Sequence, residues 1–276
     1  IPSGQACGAQ VSGVDLRKPL SKDEITEITQ AWAEHHVLAF PDQQITDDDL
    51  ETFTQYFGKL NDDPFFRPIQ GRRYIAAIAR HAEKKTAIFA EGWHSDWSFK
   101  EKPPIGTCLK GIIIPPHGGD TLFANQHLAY SNLPAELKEK IEHLTAIHSA
   151  VRAYSPDGLY GKPDPTANSA MQPIISDEAR ATQPHPLVIT HPANGRKAIY
   201  GCFGYTLGIA GMEQKEAEAL LIELHAWQTS EANVYRHQWR ENMLIMWDNR
   251  SVLHRATGGF EGHERLLHRT TIWPAN

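Results

Sequence analysis

The chain of 276 residues carries 27 Lys and Arg against 33 Asp and Glu, a net charge of −6, and 41% of it is hydrophobic. That length and composition suit one large domain or two small ones, with a substantial core. They exclude a basic stripe for nucleic acid and any apolar run near the roughly 18 residues that a membrane span takes.

The first ten residues, IPSGQACGAQ, hold no apolar signal core. Ser21 with Glu24 forms a capping box before Ile25, Ile28 and Trp32 at helical spacing. "VLAFPD", 37–42, reads as a buried strand ended by Pro41, and Thr46 with Asp49 caps a second helix through Leu50, Phe53 and Phe57. From about residue 73 short β-rich runs recur: "RYIAAIA", "TCLKGIIIPP", "DTLFAN", "HPLVITHP", "KAIYGC", "NMLIMWDN" and "LLHRTTIW". Turn residues punctuate them. Helical patterns interrupt near 134–144 and 213–227. The implied class is α+β and mainly β, a double-stranded β-helix or jelly roll with flanking helices, as a single domain over 1–276. Residues 153–186 have weak periodicity and form a candidate lid. Cys7, Cys108 and Cys202 are too scattered for a disulfide framework or a CxxC site and point to a reducing cytoplasm.

"GWHSDWSF", 92–99, raises the chemical question. Read as a strand, it projects His94 and Asp96 from one face. Two histidines and a carboxylate around a metal with open positions opposite are typical of non-haem Fe(II) oxygenases. A lone His-x-Asp is weak evidence; His81-Ala82-Glu83, in a polar segment, reads as a solvated turn. The C-terminal run adds weight. His254 follows a strand-like "MLIMWDN". "HERLLHRTTIW" then alternates, with Arg265, Leu267, Arg269 and Thr271 on one face and Leu266, His268, Thr270 and Ile272 on the other. Periodicity does not say which face is inside. Two arginines facing inward would be costly without anions to pair with, and a guanidinium suits carboxylate or sulfonate.

In these residues the chain resembles the taurine dioxygenase family of Fe(II)/2-oxoglutarate-dependent oxygenases, which includes alkylsulfatase-type and phenoxyalkanoate-cleaving members. His94, Asp96, His254, Arg265 and Arg269 fall in the family's register, and "GGDTLFAN" (118–125) and "WDNR" (247–250) resemble its signatures. The resemblance runs from "GAQVSGVDL" (8–16) to "HRTTIW". It implies that His94, Asp96 and His254 hold Fe(II), and that 2-oxoglutarate as cosubstrate sets its far carboxylate on Arg265 and Thr121. It also implies that O2 is consumed and that Arg269 binds the anionic group of a small organic substrate. That substrate would be a sulfonate, sulfate ester or aryloxyalkanoate. Its hydroxylation, often with fragmentation, would release succinate and CO2, and a homo-oligomer, dimer or tetramer, is expected by the same resemblance.

The pocket departs from the taurine-cleaving pattern. "DPFF", 63–66, stands where those members resemble "HPVY", and Ala90 stands where they place Asn. Phe65, Phe66 and Phe203 are then candidates to line a more apolar substrate site. Two other readings remain open. One is a hydroxylase of an amino acid or secondary metabolite without fragmentation. The other is a non-catalytic metal-binding jelly roll, which fits poorly because a structural zinc site wants four protein ligands, commonly Cys.

Overall fold

Both capping boxes form as expected. The Ser21 and Thr46 side chains accept from the backbone of Glu24 and Asp49, whose carboxylates reach back to the cap N–H groups. The computed structural model describes residues 1–84, 88–161 and 173–275. In chain order these form β1 (Ala9–Gln10), α1 (Lys22–His35), β2 (Val37–Phe40), α2 (Asp47–Gln55), β3 (Ala76–Arg80), β4 (Gly106–Ile113), β5 (Thr121–Asn125) and α3 (Gln126–Asn132). Next come α4 (Ala135–Ile141), β6 (Thr145–Ser149), α5 (Val151–Tyr154), β7 (Thr182–Pro186), β8 (Val188–Thr190), β9 (Lys197–Ile199) and β10 (Thr206–Ile209). The chain closes with α6 (Gln214–Gln228), β11 (Val234–His237), β12 (Leu244–Asp248), β13 (Val252–Ala256) and β14 (Arg265–Ile272).

Six strands make the main sheet, in the order β1-β2-β12-β4-β14-β3, antiparallel except for β1 on β2. Alternation along its strands decides what each face meets. Leu38, Phe40, Leu244 and Met246 pack against Ile28 and Trp32 of α1 and Leu50 and Phe53 of α2. Their neighbours Val37, Ala39, Ile245 and Trp247 point the other way, onto Phe123 of β5 and Val252 of β13. That second layer is the three-stranded sheet β11-β5-β13, while β10-β6-β7 and β8-β9 form two further small sheets. The two facing layers are the jelly roll expected. Helices α3, α4 and α6 close the far side over Leu133, Leu137, Leu220 and Leu224.

Part of the lid candidate, residues 162–172, lies outside the described residues. The remainder is more ordered than its sequence suggests. Val151–Tyr154 is helical, Asp177–Arg180 is a 3-10 turn, and Thr182–Pro186 pairs with β6 as a strand. Ile174 donates its N–H to the Phe65 carbonyl at 2.8 Å, which ties the segment to the wall of the site.

Candidate metal centre and its pocket

The run 92–99 is not a strand. His94 makes a single bridge to His254, its N–H donating to the His254 carbonyl at 3.0 Å and the return bond measuring 2.8 Å. Beyond it the chain turns, with Trp97 at φ +50°, a region that L-residues rarely visit. The turn serves the purpose expected of a strand face. Ligand atoms of His94, Asp96 and His254 all lie within 4.8 Å of one another, the one such group of three among the described residues. Asp96 Oδ1 is 3.8 Å from His94 Nε2 and 3.9 Å from His254 Nε2.

The surroundings orient these groups. Thr107 Oγ1 donates to Asp96 Oδ2 at 2.6 Å, so that Oδ1 is the oxygen facing the imidazoles. His94 Nδ1 lies 2.9 Å from the Gly92 carbonyl. A carbonyl only accepts, so the proton sits on Nδ1 and Nε2 offers its lone pair. Burial pulls the His94 imidazole below its ordinary value and that of His254 down to about 3, so both rings are neutral. Burial opposes the charge of Asp96, but His254, Arg269 and His94 outweigh it and keep the carboxyl below its usual range. Two neutral imidazoles and an ionised carboxylate are the protonation states that metal ligation requires. With no fourth protein ligand in the group, the donor set fits an open, catalytic metal.

The arginine face of β14 is the inner one. Arg265 and Arg269 are 7% and 5% exposed. Arg265 donates from Nη2 to the Gly119 carbonyl at 3.1 Å, while its Nε is buried without a partner. Gly119 stands at φ +69°, and a Cβ there would lie 3.3 Å from Arg265 Nε. Burial drags the guanidinium down to about 10, with Asp120 opposing. This cation lacks an anion. Among the described residues it has no ion pair with Asp or Glu, and Glu264 lies instead 3.9 Å from His81. Beside it, Thr121 Oγ1 accepts from Trp239 Nε1 at 2.9 Å, which leaves the hydroxyl proton free to donate. His94, Asp96, His254, Thr121, Arg265 and Arg269 line one pocket, with Phe89, Leu109 and Trp247 among its apolar walls.

Arg269 is not free. Its Nη2 pairs with Asp63 Oδ2, and its Nη1 lies 4.0 Å from Asp96 Oδ1. Its guanidinium sits 5.0 Å from the Phe66 ring centroid and 5.1 Å from that of Trp97. Phe66 thus lies beneath the arginine, 1% exposed, rather than on the pocket wall itself. Phe65 stacks on Tyr154 one layer farther out, ring centroids 4.4 Å apart. Phe203 does not belong here: it is 36% exposed, packs on His225, and its carbonyl accepts from Arg152 at 2.9 Å. That anchor holds it on the surface. Three contributors escaped the sequence reading: Asp63 as the partner of Arg269, Thr107 behind Asp96, and Trp239 behind Thr121. Only Asp63 left a trace, as the charged first residue of "DPFF".

A family model described as taurine catabolism dioxygenase TauD, TfdA family matches residues 1–271. The chain belongs to this family. Family and relatives make it an α-ketoglutarate-dependent dioxygenase that works with a metal and 2-oxoglutarate. An alkylsulfatase of Acinetobacter baylyi is 32% identical over 267 residues, covering 96% of this chain and 81% of the relative. An α-ketoglutarate-dependent 2,4-dichlorophenoxyacetate dioxygenase of Cupriavidus pinatubonensis is 32% identical over 280 residues, 95% and 93% of the two chains. The solved structure of AAD-2 in complex with Mn(II) and N-oxalylglycine superposes with a TM-score of 0.78 at 29% identity, covering 99% of this chain and 97% of that one.

Proposed function

We propose that the chain uses Fe(II) and O2 to couple decarboxylation of 2-oxoglutarate, giving succinate and CO2, to hydroxylation of a small organic substrate with an anionic group. The observation that carries this reading is the buried, unpaired Arg265 in the same pocket as the three-ligand His94–Asp96–His254 group. A dicarboxylate joins the two: one end reaches the metal and the other meets Arg265 and the free proton of Thr121. N-oxalylglycine, present in the AAD-2 structure, is 2-oxoglutarate with NH in place of one CH2, and the likeness supports the same placement here.

Each residue then has a task. His94, Asp96 and His254 would hold the ion, which supplies the redox chemistry through which O2 is used. Thr107 fixes the Asp96 carboxylate, and Trp239 fixes the Thr121 hydroxyl. Arg269 faces the substrate, with Phe66 and Trp97 keeping water from its flanks. The relatives named for alkyl sulfates and 2,4-dichlorophenoxyacetate point to a sulfate ester, sulfonate or aryloxyalkanoate. A hydroxyl placed on a carbon that already carries an ester or aryloxy oxygen gives a hemiacetal-like product that fragments. Three free, buried thiols suit a reducing cytoplasm. Assembly into two or four copies belongs to the same reading, and the mass in solution tests it.

The deciding assay is succinate release with Fe(II), 2-oxoglutarate and O2 across alkyl sulfates, sulfonates, aryloxyalkanoates and amino acids. We expect stimulation by one of the first three classes and loss of about 100-fold or more in Asp96→Ala, which removes a ligand rather than its support. Stimulation by amino acids alone, without fragmentation, would replace the substrate assignment. No succinate from iron-loaded protein would overturn the reading.

A further inference from the structure

Charge balance around the metal group differs from what an anion-binding pocket needs. Arg265 and Arg269 bring two positive charges to the pocket, and Asp96 and Asp63 two negative ones. The protein side therefore sums to zero. A divalent ion and the 2-oxoglutarate dianion also cancel. Without Asp63 the loaded pocket would carry one positive charge, which one substrate anion would neutralise. With Asp63 the balance is struck before substrate arrives.

Asp63 is held where it is. Its Oδ1 accepts from the backbone N–H of Phe65 and of Phe66, both at 3.0 Å, while Oδ2 takes Arg269. Both partners of the pair are shielded, with side chains 11% and 5% exposed. In such surroundings a charge interaction is felt far more strongly than on the surface. The Arg269 edge turned toward Asp63 is thus filled by the protein's own carboxylate, and the remaining nitrogens are flanked by Asp96 and two aromatic rings.

Resting on the anionic-substrate reading above, we propose that Asp63 is a specificity-determining residue, an internal counter-ion that competes with the substrate's anionic group for Arg269. The pocket then admits a single negative charge at most and rejects doubly charged groups such as phosphate monoesters. An apolar body on the substrate supplies the remaining affinity, against the walls formed by Phe89, Leu109 and Trp247.

Asp63→Asn tests this, because the amide oxygen keeps the two backbone bonds while the charge is lost. The measurement is calorimetric titration of butyl sulfate and butyl phosphate into protein loaded with Mn(II) and 2-oxoglutarate, at a pH near 8 where the phosphate is mostly doubly charged. The wild type should bind butyl sulfate weakly and butyl phosphate not at all. The variant should bind butyl sulfate on the order of tenfold more tightly and gain measurable affinity for butyl phosphate, with its affinity for 2-oxoglutarate unchanged. Asp63→Ser, which also keeps an acceptor oxygen, should behave alike. Unchanged or weaker anion binding in both variants, with 2-oxoglutarate binding intact, would overturn the proposal and reduce Asp63 to a brace for Arg269. No anion bound by any form, again with 2-oxoglutarate bound normally, would overturn the anionic-substrate reading itself.

Discussion

Arg265 and Arg269 are one turn of the β alternation apart twice over: same strand, same face, nearly equal burial. Their electrostatics are opposite. Burial lowers Arg265, with Asp120 opposing, and among the described residues no carboxylate forms an ion pair with it. Burial opposes Arg269 as well, yet Asp63 and Asp96 more than offset it and its affinity for the proton rises. Exposure alone would have given the two residues one role. The partner separates them: a guanidinium left without an anion is prepared for a mobile one, and a guanidinium already paired is fixed and selective.

The strongest way to break that contrast is to remove each charge. Arg269→Met should destabilise the metal-free protein by about 3 kcal/mol, since it leaves the buried Asp63 carboxylate alone. Thermal or urea unfolding reads this directly. Adding Asp63→Asn to Arg269→Met should recover most of the loss, because the orphaned charge is then gone. If the double variant is no more stable than Arg269→Met, the pair is not the source of the cost.

Arg265→Met should do the reverse. Unfolding of the metal-free protein should show no loss of stability and a gain of up to about 1 kcal/mol, as an uncompensated buried charge is replaced by an apolar chain. The KM for 2-oxoglutarate should meanwhile rise by about 100-fold, corresponding to about 2.7 kcal/mol of charge-assisted hydrogen bonding. Metal binding, measured by titration without cosubstrate, should stay as in the wild type. A KM that does not move would detach Arg265 from the cosubstrate.

How much of this was legible before the structure depends on sequence separation. The capping boxes were, because Ser21 and Glu24, or Thr46 and Asp49, lie three residues apart and satisfy each other locally. The alternation of 265–272 put both arginines on one face, but a period has no inside. That came from Leu267 packing on Phe123 and Trp247. His94 and Asp96 were found through a strand that does not form; their spacing was right because the bridge to His254 and the turn at Trp97 aim the two side chains together. The pairing of Asp63 with Arg269 spans 206 positions, and no local pattern encodes it. Phe203 shows the same limit from the other side. An aromatic residue beside the buried Cys202 looked like pocket wall, and the turn ahead of β10 placed the cysteine inside and the ring outside.

Thr121 makes the finest test of how the Arg265 end is built, and its effect should be the smallest. Thr121→Val keeps shape and removes the hydroxyl. Two bonds go with it: the one accepted from Trp239 Nε1 and the one available to a carboxylate at Arg265. Each is worth about 1 kcal/mol, so the KM for 2-oxoglutarate should rise about fivefold and the metal-free protein should lose a similar increment of stability. The two readouts separate the roles. Thr121→Ser retains both bonds and should leave both values near wild type. Lowered stability with an unchanged KM would mean that Thr121 does no more than hold the Trp239 indole, and that Arg265 receives the far carboxylate alone.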